Sequence, residues 1–298
     1  MPSLSIFANF YINDVERFIR LKDSFKSIED MDADRWVINI RGKYKFDVLF
    51  FLHERLGEKL IPFILENKKG WFNDTKKMLD SINTDYVFFW LEDHVNLIDA
   101  SKYAHIITEM HESKSEYLCY SWWSFGKPKK LYEAIKKENF DNIESFILDE
   151  RVDNIVEILQ QTYIISMAGI FANSLFKEII EKGPPLLRTY PKQTPFNFEK
   201  GGEEKSWLPL KMSIPKYELF ASIDDDFGLP GVYSLQSRGL YPVRQKRALV
   251  VERKINVLNR AWRVIKKYLP EWVISFIIKT LNFFGRLRRF IYLVLHNQ

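Results

Sequence analysis

Between residues 4 and 91 the sequence repeats one alternation: a short, nearly uncharged run followed by an amphipathic stretch of helical period. The runs are LSIFANFYI (4–12), RWVINI (35–40), KLIPFIL (59–65) and YVFFWL (86–91). Between them, DVERFIRLKDSFKSI (14–28) sets Val15, Phe18, Ile19, Leu21 and Phe25 on one helical face behind Asp14 as N-cap. KYKFDVLFFLHERLG (43–57) fits a helix ended by Gly57, and WFNDTKKMLDSI (71–82) a helix leading into the fourth run. Strands separated by helices pair in parallel through crossovers. The spacing therefore predicts an α/β fold built on a Rossmann-like, mainly parallel sheet, and open sheets of that kind keep their ligands at the carboxyl edge.

The fourth run stops at Glu92, Asp93 and His94. Carboxylates at a strand end beside an imidazole suit a divalent cation, Mn2+ or Mg2+, which would neutralise a diphosphate and improve it as a leaving group. The same three residues also fit a solvated turn in which Asp93 caps the segment after it. IDDD (223–226) is a second acidic cluster and a rival metal site, or a capped turn before FGLPG. No GxxxxGK[ST] or GxGxxG follows an expected strand, so a glycine-rich phosphate loop is not the mode, and there is no GxSxG nucleophile elbow. The five histidines lack HExxH spacing, which leaves catalytic zinc without support.

Beyond residue 100 the pattern gives a helix (101–114), a strand EYLCYSW (116–122) and a polar helical stretch to about residue 160. TYIISMAGIFANSLFKEII (162–180) reads as a strand running into a helix through Ala168 and Gly169, and 183–215, with several prolines and GGEEK, as irregular loop. Cys119 is the only cysteine, and Met1 to Ser5 lead into a strand without a signal-like segment; a reducing, cytoplasmic setting is the expectation.

Charge divides the chain. Residues 244–298 hold thirteen Lys/Arg against Glu252 and Glu271, a net of +11, so that the overall +5 leaves −6 for the rest. A mildly acidic body argues against a nucleic-acid partner and for a tail with a partner of its own. In NVLNRAWRVIKKYL (256–269) Val257, Leu258, Ala261, Trp262, Ile265, Tyr268 and Leu269 share one helical face, with the basic residues largely off it. After Pro270 an aromatic-rich segment is interrupted by Lys279, Arg286, Arg288 and Arg289, short of the roughly 20 apolar residues of a spanning helix. Two parts are expected: a body, 1–243, and a basic amphipathic tail, 244–298. Residues 256–298 would lie on an anionic membrane surface or pair subunits in a homo-oligomer.

The stretch LENKKGWFNDTKKMLDSINTDYVFFWLEDH (65–94) resembles the donor-binding core of A-type (GT-A fold) nucleotide-sugar glycosyltransferases, particularly family-two enzymes. There a strand leads to an Asn- and Gly-containing loop, a helix, and a strand ending in a DxD-type motif. The resemblance runs from residue 4 to about 180. It implies a nucleotide-sugar donor held by Asn9, Arg41, Asn67, Lys69 and Asp74, and a divalent cation on Asp93 with His94 or Glu92. His94 stands where the family carries its last acid. TYIISMAGIF (162–171) and TPFNFE (194–199) are similar to the acceptor side of such enzymes; carried over, Glu199 is the catalytic base, with Glu203 and Glu204 as rivals. QSRGLYP (236–242) resembles the late QxxRW-like segment, which gives Arg238 to the departing diphosphate. Tyr120, Trp122 and Trp123 are a stacking wall for a sugar or part of the core. The implied function is transfer of a sugar to a lipid-linked or polysaccharide acceptor in bacterial cell-surface glycan synthesis, lipopolysaccharide included, at the inner face of the membrane. The alternative is an inactive member of the fold that serves as a membrane-attached scaffold for other transferases.

Overall fold

The computed structural model describes residues 1–66, 70–119, 135–153, 169–183, 207–224 and 234–242, with Tyr132, Glu133, Ile155, Ile158, Thr194, Pro195 and Asn197. The chain divides after Pro242 into two units, Met1–Pro242 and Val243–Gln298. The amphipathic tail, Glu199 with its rivals, Asn67, Lys69 and the Tyr120–Trp123 aromatics lie outside the described residues.

The expected alternation is present. β1 (Leu4–Tyr11) leads to α1 (Val15–Lys26), β2 (Arg35–Arg41) to α2 (Lys45–Leu56), β3 (Leu60–Phe63) to α3 (Trp71–Lys76), and β4 (Tyr86–Phe89) follows. Asp14 caps α1, its Oδ1 accepting from the Arg17 N–H at 2.9 Å. Gly57 stops α2 at φ +52°, a left-handed value that a side chain disfavours. α3 is shorter than the periodicity suggests, because a 3-10 turn at Leu79–Ser81 takes over its last residues.

A short strand β5 (His94–Asn96) comes next, then α4 (Lys102–Glu112), β6 (Tyr117–Leu118), β7 (Glu138–Asn139), β8 (Ile143–Leu148), β9 (Gly169–Ala172), α5 (Asn173–Lys182), β10 (Leu210–Pro215) and β11 (Phe220–Ser222). Two expectations fail here. The polar stretch read as helical holds the hairpin β7–β8 instead, and the stretch read as loop holds β10, the strand against which β8 pairs. β8 buries Ile143, Ser145, Phe146 and Leu148. The Glu109 carboxylate fixes the turn before it, accepting from the Asn142 N–H at 2.9 Å and the Ile143 N–H at 3.1 Å. That pairing spans more than sixty residues of sequence, so local period says little about it.

The main sheet runs β3-β2-β1-β4-β9-β6-β10-β8-β7. β9 and β8 run against the other seven strands, so the sheet is mainly parallel. Both faces are covered. On one, Trp36, Trp90 and Phe10 meet Phe25 of α1 and Phe51 of α2, with Trp36 and Trp90 edge-on at 5.7 Å. On the other, Phe7 packs on Phe176 of α5 at 5.0 Å and on Trp71 of α3 at 6.1 Å. The strand period of two sorts side chains cleanly: Phe7, Asn9 and Tyr11 share the α3 face of β1, with Asn39 and Arg41 level with the last two on β2. Among the described residues no helix is long and apolar enough to cross a membrane.

Candidate active site

From β1 the chain steps outward to β2 and β3, then returns to lay β4 on β1's other side. The order reverses between β1 and β4, and a crevice opens outside the carboxyl ends at such a point. Residues from separate elements meet there: Tyr11 from β1, Arg17 from the first turn of α1, Arg41 from β2, Glu66 after β3, Asp74 on α3, and Glu92 and Asp93 after β4.

The acidic segment is firmly held. Trp90 Nε1 donates to Ser24 Oγ at 2.8 Å, and that hydroxyl donates to the His94 carbonyl. Ser27 Oγ accepts from the Asn96 N–H at 2.9 Å, while Asn96 Nδ2 donates to the Ser27 carbonyl at 2.8 Å. β5 then pairs antiparallel with β11, His94 opposite Ser222, and the Ile223 N–H donates to the Asp93 carbonyl at 2.8 Å. The two acidic clusters that the sequence presents as rivals, LEDH and IDDD, are thus neighbours. Asp224, the last described residue of the second, accepts from Arg20 Nη1 at 2.7 Å.

Each of the three expected metal ligands has a protein partner. His94 is buried, with Nδ1 2.8 Å from Asp93 Oδ1. Glu92 Oε1 accepts from Arg17 Nη1 at 3.1 Å. Asp93 is the most open, its side chain 39% exposed. Burial and the neighbouring Asp93 charge push Glu92 up to about 7, against the pull of Arg17. Burial also works to raise Asp93, yet the field and hydrogen bond of the His94 imidazole hold it below the usual carboxylate range. Two adjacent carboxyls thus carry oppositely displaced pKa values, one through burial beside a like charge and the other through its imidazole partner. Among the described residues no three His, Cys, Asp or Glu side chains are grouped to hold a metal ion.

The expected donor-binding residues divide. Asn9 is buried; its Nδ2 donates to the Trp71 carbonyl at 3.1 Å and to Thr75 Oγ1 at 2.9 Å, and its Oδ1 accepts from Asn39 Nδ2 at 2.9 Å. It ties α3 to the sheet and presents nothing to a ligand. Arg238 donates to Glu218 Oε1 at 2.8 Å, a carboxylate of its own. Asp74 is fully buried. Arg41 belongs to the crevice: its guanidinium carbon lies 5.9 Å from the Tyr11 ring centroid. Burial pulls its pKa below the guanidinium norm, while Asp74, Glu66, Tyr11 and Glu92 pull it back up.

Sequence reasoning missed Glu66 and Arg17. Glu66 accepts from the Gly42 N–H at 3.0 Å and Lys45 Nζ at 3.4 Å, which together hold its carboxyl low. Its signal was position, one residue past an apolar run that ends on the same edge as YVFFWL.

No family model matches the chain, and no curated protein does. Among solved structures it is similar to TarS of S. aureus, with a TM-score of 0.49 and 13% identity over 73% of this chain and 59% of that one. TarS in complex with UDP-GlcNAc gives 0.48 and 12%, over 73% of this chain and 57% of that one. The mannosyltransferase PcManGT from Pyrobaculum calidifontis, in complex with GDP-Man and Mn2+, gives 0.44 and 9%, over 76% and 58%. The chain thus spans less than two thirds of the length of each.

Proposed function

We propose that this chain is a glycosyltransferase, moving a sugar from a nucleotide-sugar donor to a glycan or lipid-linked acceptor. The observation that carries the reading is the meeting of Arg41, at the end of β2, with Glu92 and Asp93, after β4, at the edge where the strand order reverses. Such a crevice, lined by displaced carboxyls and a cation, is where an open α/β sheet receives a nucleotide. It agrees with the resemblance of residues 65–94 to the donor core of A-type transferases.

In this reading Arg41 meets the donor's phosphates, and Asp93, the most open carboxylate, accepts hydrogen bonds from sugar hydroxyls. Glu199 takes the proton of the acceptor hydroxyl. The hydroxyl oxygen bonds to the anomeric carbon on the face opposite the nucleotide. The carbon–oxygen bond to the phosphate breaks, and the nucleoside diphosphate leaves with the electron pair, inverting the anomeric centre. Residues 256–298 hold the enzyme on the cytoplasmic face of a membrane, where a lipid-linked acceptor is met in its own plane.

A thermal-shift screen against UDP-, GDP-, CMP- and dTDP-sugars, on the wild type and Asp93→Ala, tests this. A ligand bound by the native state alone raises its melting temperature by mass action. One nucleotide sugar should stabilise the wild type and do so much less in the variant. No shift with any of the four would refute the transferase reading and leave the scaffold.

A further inference from the structure

We propose that the donor's diphosphate is neutralised at this edge by arginine rather than by a divalent cation: Arg41 takes the phosphates, and Arg17 joins it by leaving Glu92. The inference rests on the transferase reading above and names how that donor site handles charge.

The first ground is the chemistry of the acidic segment. Mg2+ takes about six oxygen ligands, one or two of them protein carboxylates and the rest water and substrate phosphate. Here Asp93 Oδ1 sits against His94 Nδ1 at 2.8 Å, and Glu92 Oε1 against Arg17 Nη1 at 3.1 Å. His94 is buried in the β5–β11 pair. A cation would share these carboxylates with Arg17 and His94 rather than find them unpaired.

The second ground is Arg41. A guanidinium carries five donors. Its Nε is buried with no hydrogen-bond partner among the described residues. Asp74, Glu66 and Glu92 act on it through space. Other buried side-chain atoms are unmet among the described residues, Arg35 Nε at the other end of β2 included, and Arg41 Nε is the one at the carboxyl edge, where a ligand can supply the acceptor. The planar fork of arginine matches phosphate oxygens two at a time.

The third ground is rigidity. Arg41 is the last residue of β2, level with Tyr11 on β1. The next residue, Gly42, has φ +93°, and a Cβ there would stand 2.6 Å from the Ile12 carbonyl oxygen. The Gly42 N–H is meanwhile held by Glu66 at 3.0 Å. Strand end and turn are therefore locked, and the guanidinium is offered from a fixed base. Arg17 differs: its side chain is 50% exposed, and its Nη1 is shared between Glu92 Oε1 at 3.1 Å and the Tyr11 carbonyl at 3.3 Å, contacts that a phosphate would replace.

The test is calorimetric titration of the full chain with UDP and with GDP, in EDTA and again in Mn2+, on the wild type, Arg41→Gln and Arg41→Lys, with melting curves to confirm that each variant is folded. The tighter nucleotide should bind the wild type in EDTA within about threefold of its Mn2+ affinity. Arg41→Gln should weaken it roughly 10- to 100-fold in EDTA, as loss of a charge-assisted pair does, with Arg41→Lys between the two. Binding that appears in Mn2+ alone, or that is indifferent to Arg41→Gln, overturns the inference and leaves the transferase reading standing. Binding in neither buffer overturns both.

Discussion

Asn9 and Asn39 face each other across β1 and β2, and two residues further along, on the same face, Tyr11 and Arg41 do likewise. The asparagine pair is fully engaged. Asn39 Nδ2 reaches Asn9 Oδ1 at 2.9 Å and the Leu65 carbonyl at 3.1 Å, its Oδ1 accepts from the Leu65 N–H at 2.7 Å, and Trp71 Nε1 closes the knot on the Asn9 carbonyl at 3.1 Å. Arg41 has an orphaned Nε and three acids that act on it from a distance. Both are polar groups in largely buried surroundings at one level of the sheet or the next. The asparagines show what a group looks like when the fold itself is its partner, and the arginine what it looks like when the fold leaves a donor over.

The largest effect that would break this contrast is on the scaffold side. Asn39→Ala strips acceptors and donors from Asn9 and Leu65 inside the fold and should cost about 3 kcal/mol. On melting, that is roughly 5–10 °C. A variant as stable as the wild type would show that the asparagine knot is not what ties β3 and α3 to the sheet.

Glu92→Gln should act in the opposite direction, and with pH. The folded pKa of Glu92, about 7, stands above its ordinary 4.5, so the native state binds a proton more tightly than the unfolded chain does. That contribution is complete below about pH 4.5 and is lost as pH rises through 7. Glutamine carries no such dependence. The variant should melt with the wild type at pH 4 and above it at pH 8, by on the order of 1–2 kcal/mol. Equal melting at both pH values would mean that Glu92 is not strained.

Arg41→Gln gives the smallest expected change in stability, less than about 1 kcal/mol, because no hydrogen bond of the described residues is lost and the burial that disfavours the guanidinium offsets the pull of the nearby acids. Chemical denaturation beside Asn39→Ala sharpens the comparison directly. A cost as large as that of Asn39→Ala would place Arg41 in the scaffold.

The elements up to β4 were legible because each carries its own period. Phe18, Leu21 and Phe25 announce α1, although Val15, expected on the same face, is 54% exposed; Gly57 announces the end of α2, and YVFFWL a strand buried on both faces. β8 and β10 were not legible. EN-FDN-IESFIL has polar residues at alternate places that also fit a helix, and its partner begins at Leu210, more than sixty residues on. At the edge, Glu92, Asp93 and Arg41 stood out by type and place. Asn9 stood out equally, and nothing in LSIFANFYI distinguishes an asparagine that will bind Trp71 and Thr75 from one that will meet a nucleotide.

By itself, then, the sequence determined which strands alternate with which helices and which charged residues end at the carboxyl edge, since both follow from periods of two and 3.6 residues and from turn chemistry over a few positions. The tertiary structure alone decided that Asp93 is paired with His94 and Glu92 with Arg17, that the Ile223–Asp224 segment lies beside Asp93, and that Arg41 keeps an unmet donor. Hydrogen-bond satisfaction is a property of neighbours brought together from distant parts of the chain, and long-range packing chooses those neighbours after local pattern has done its part.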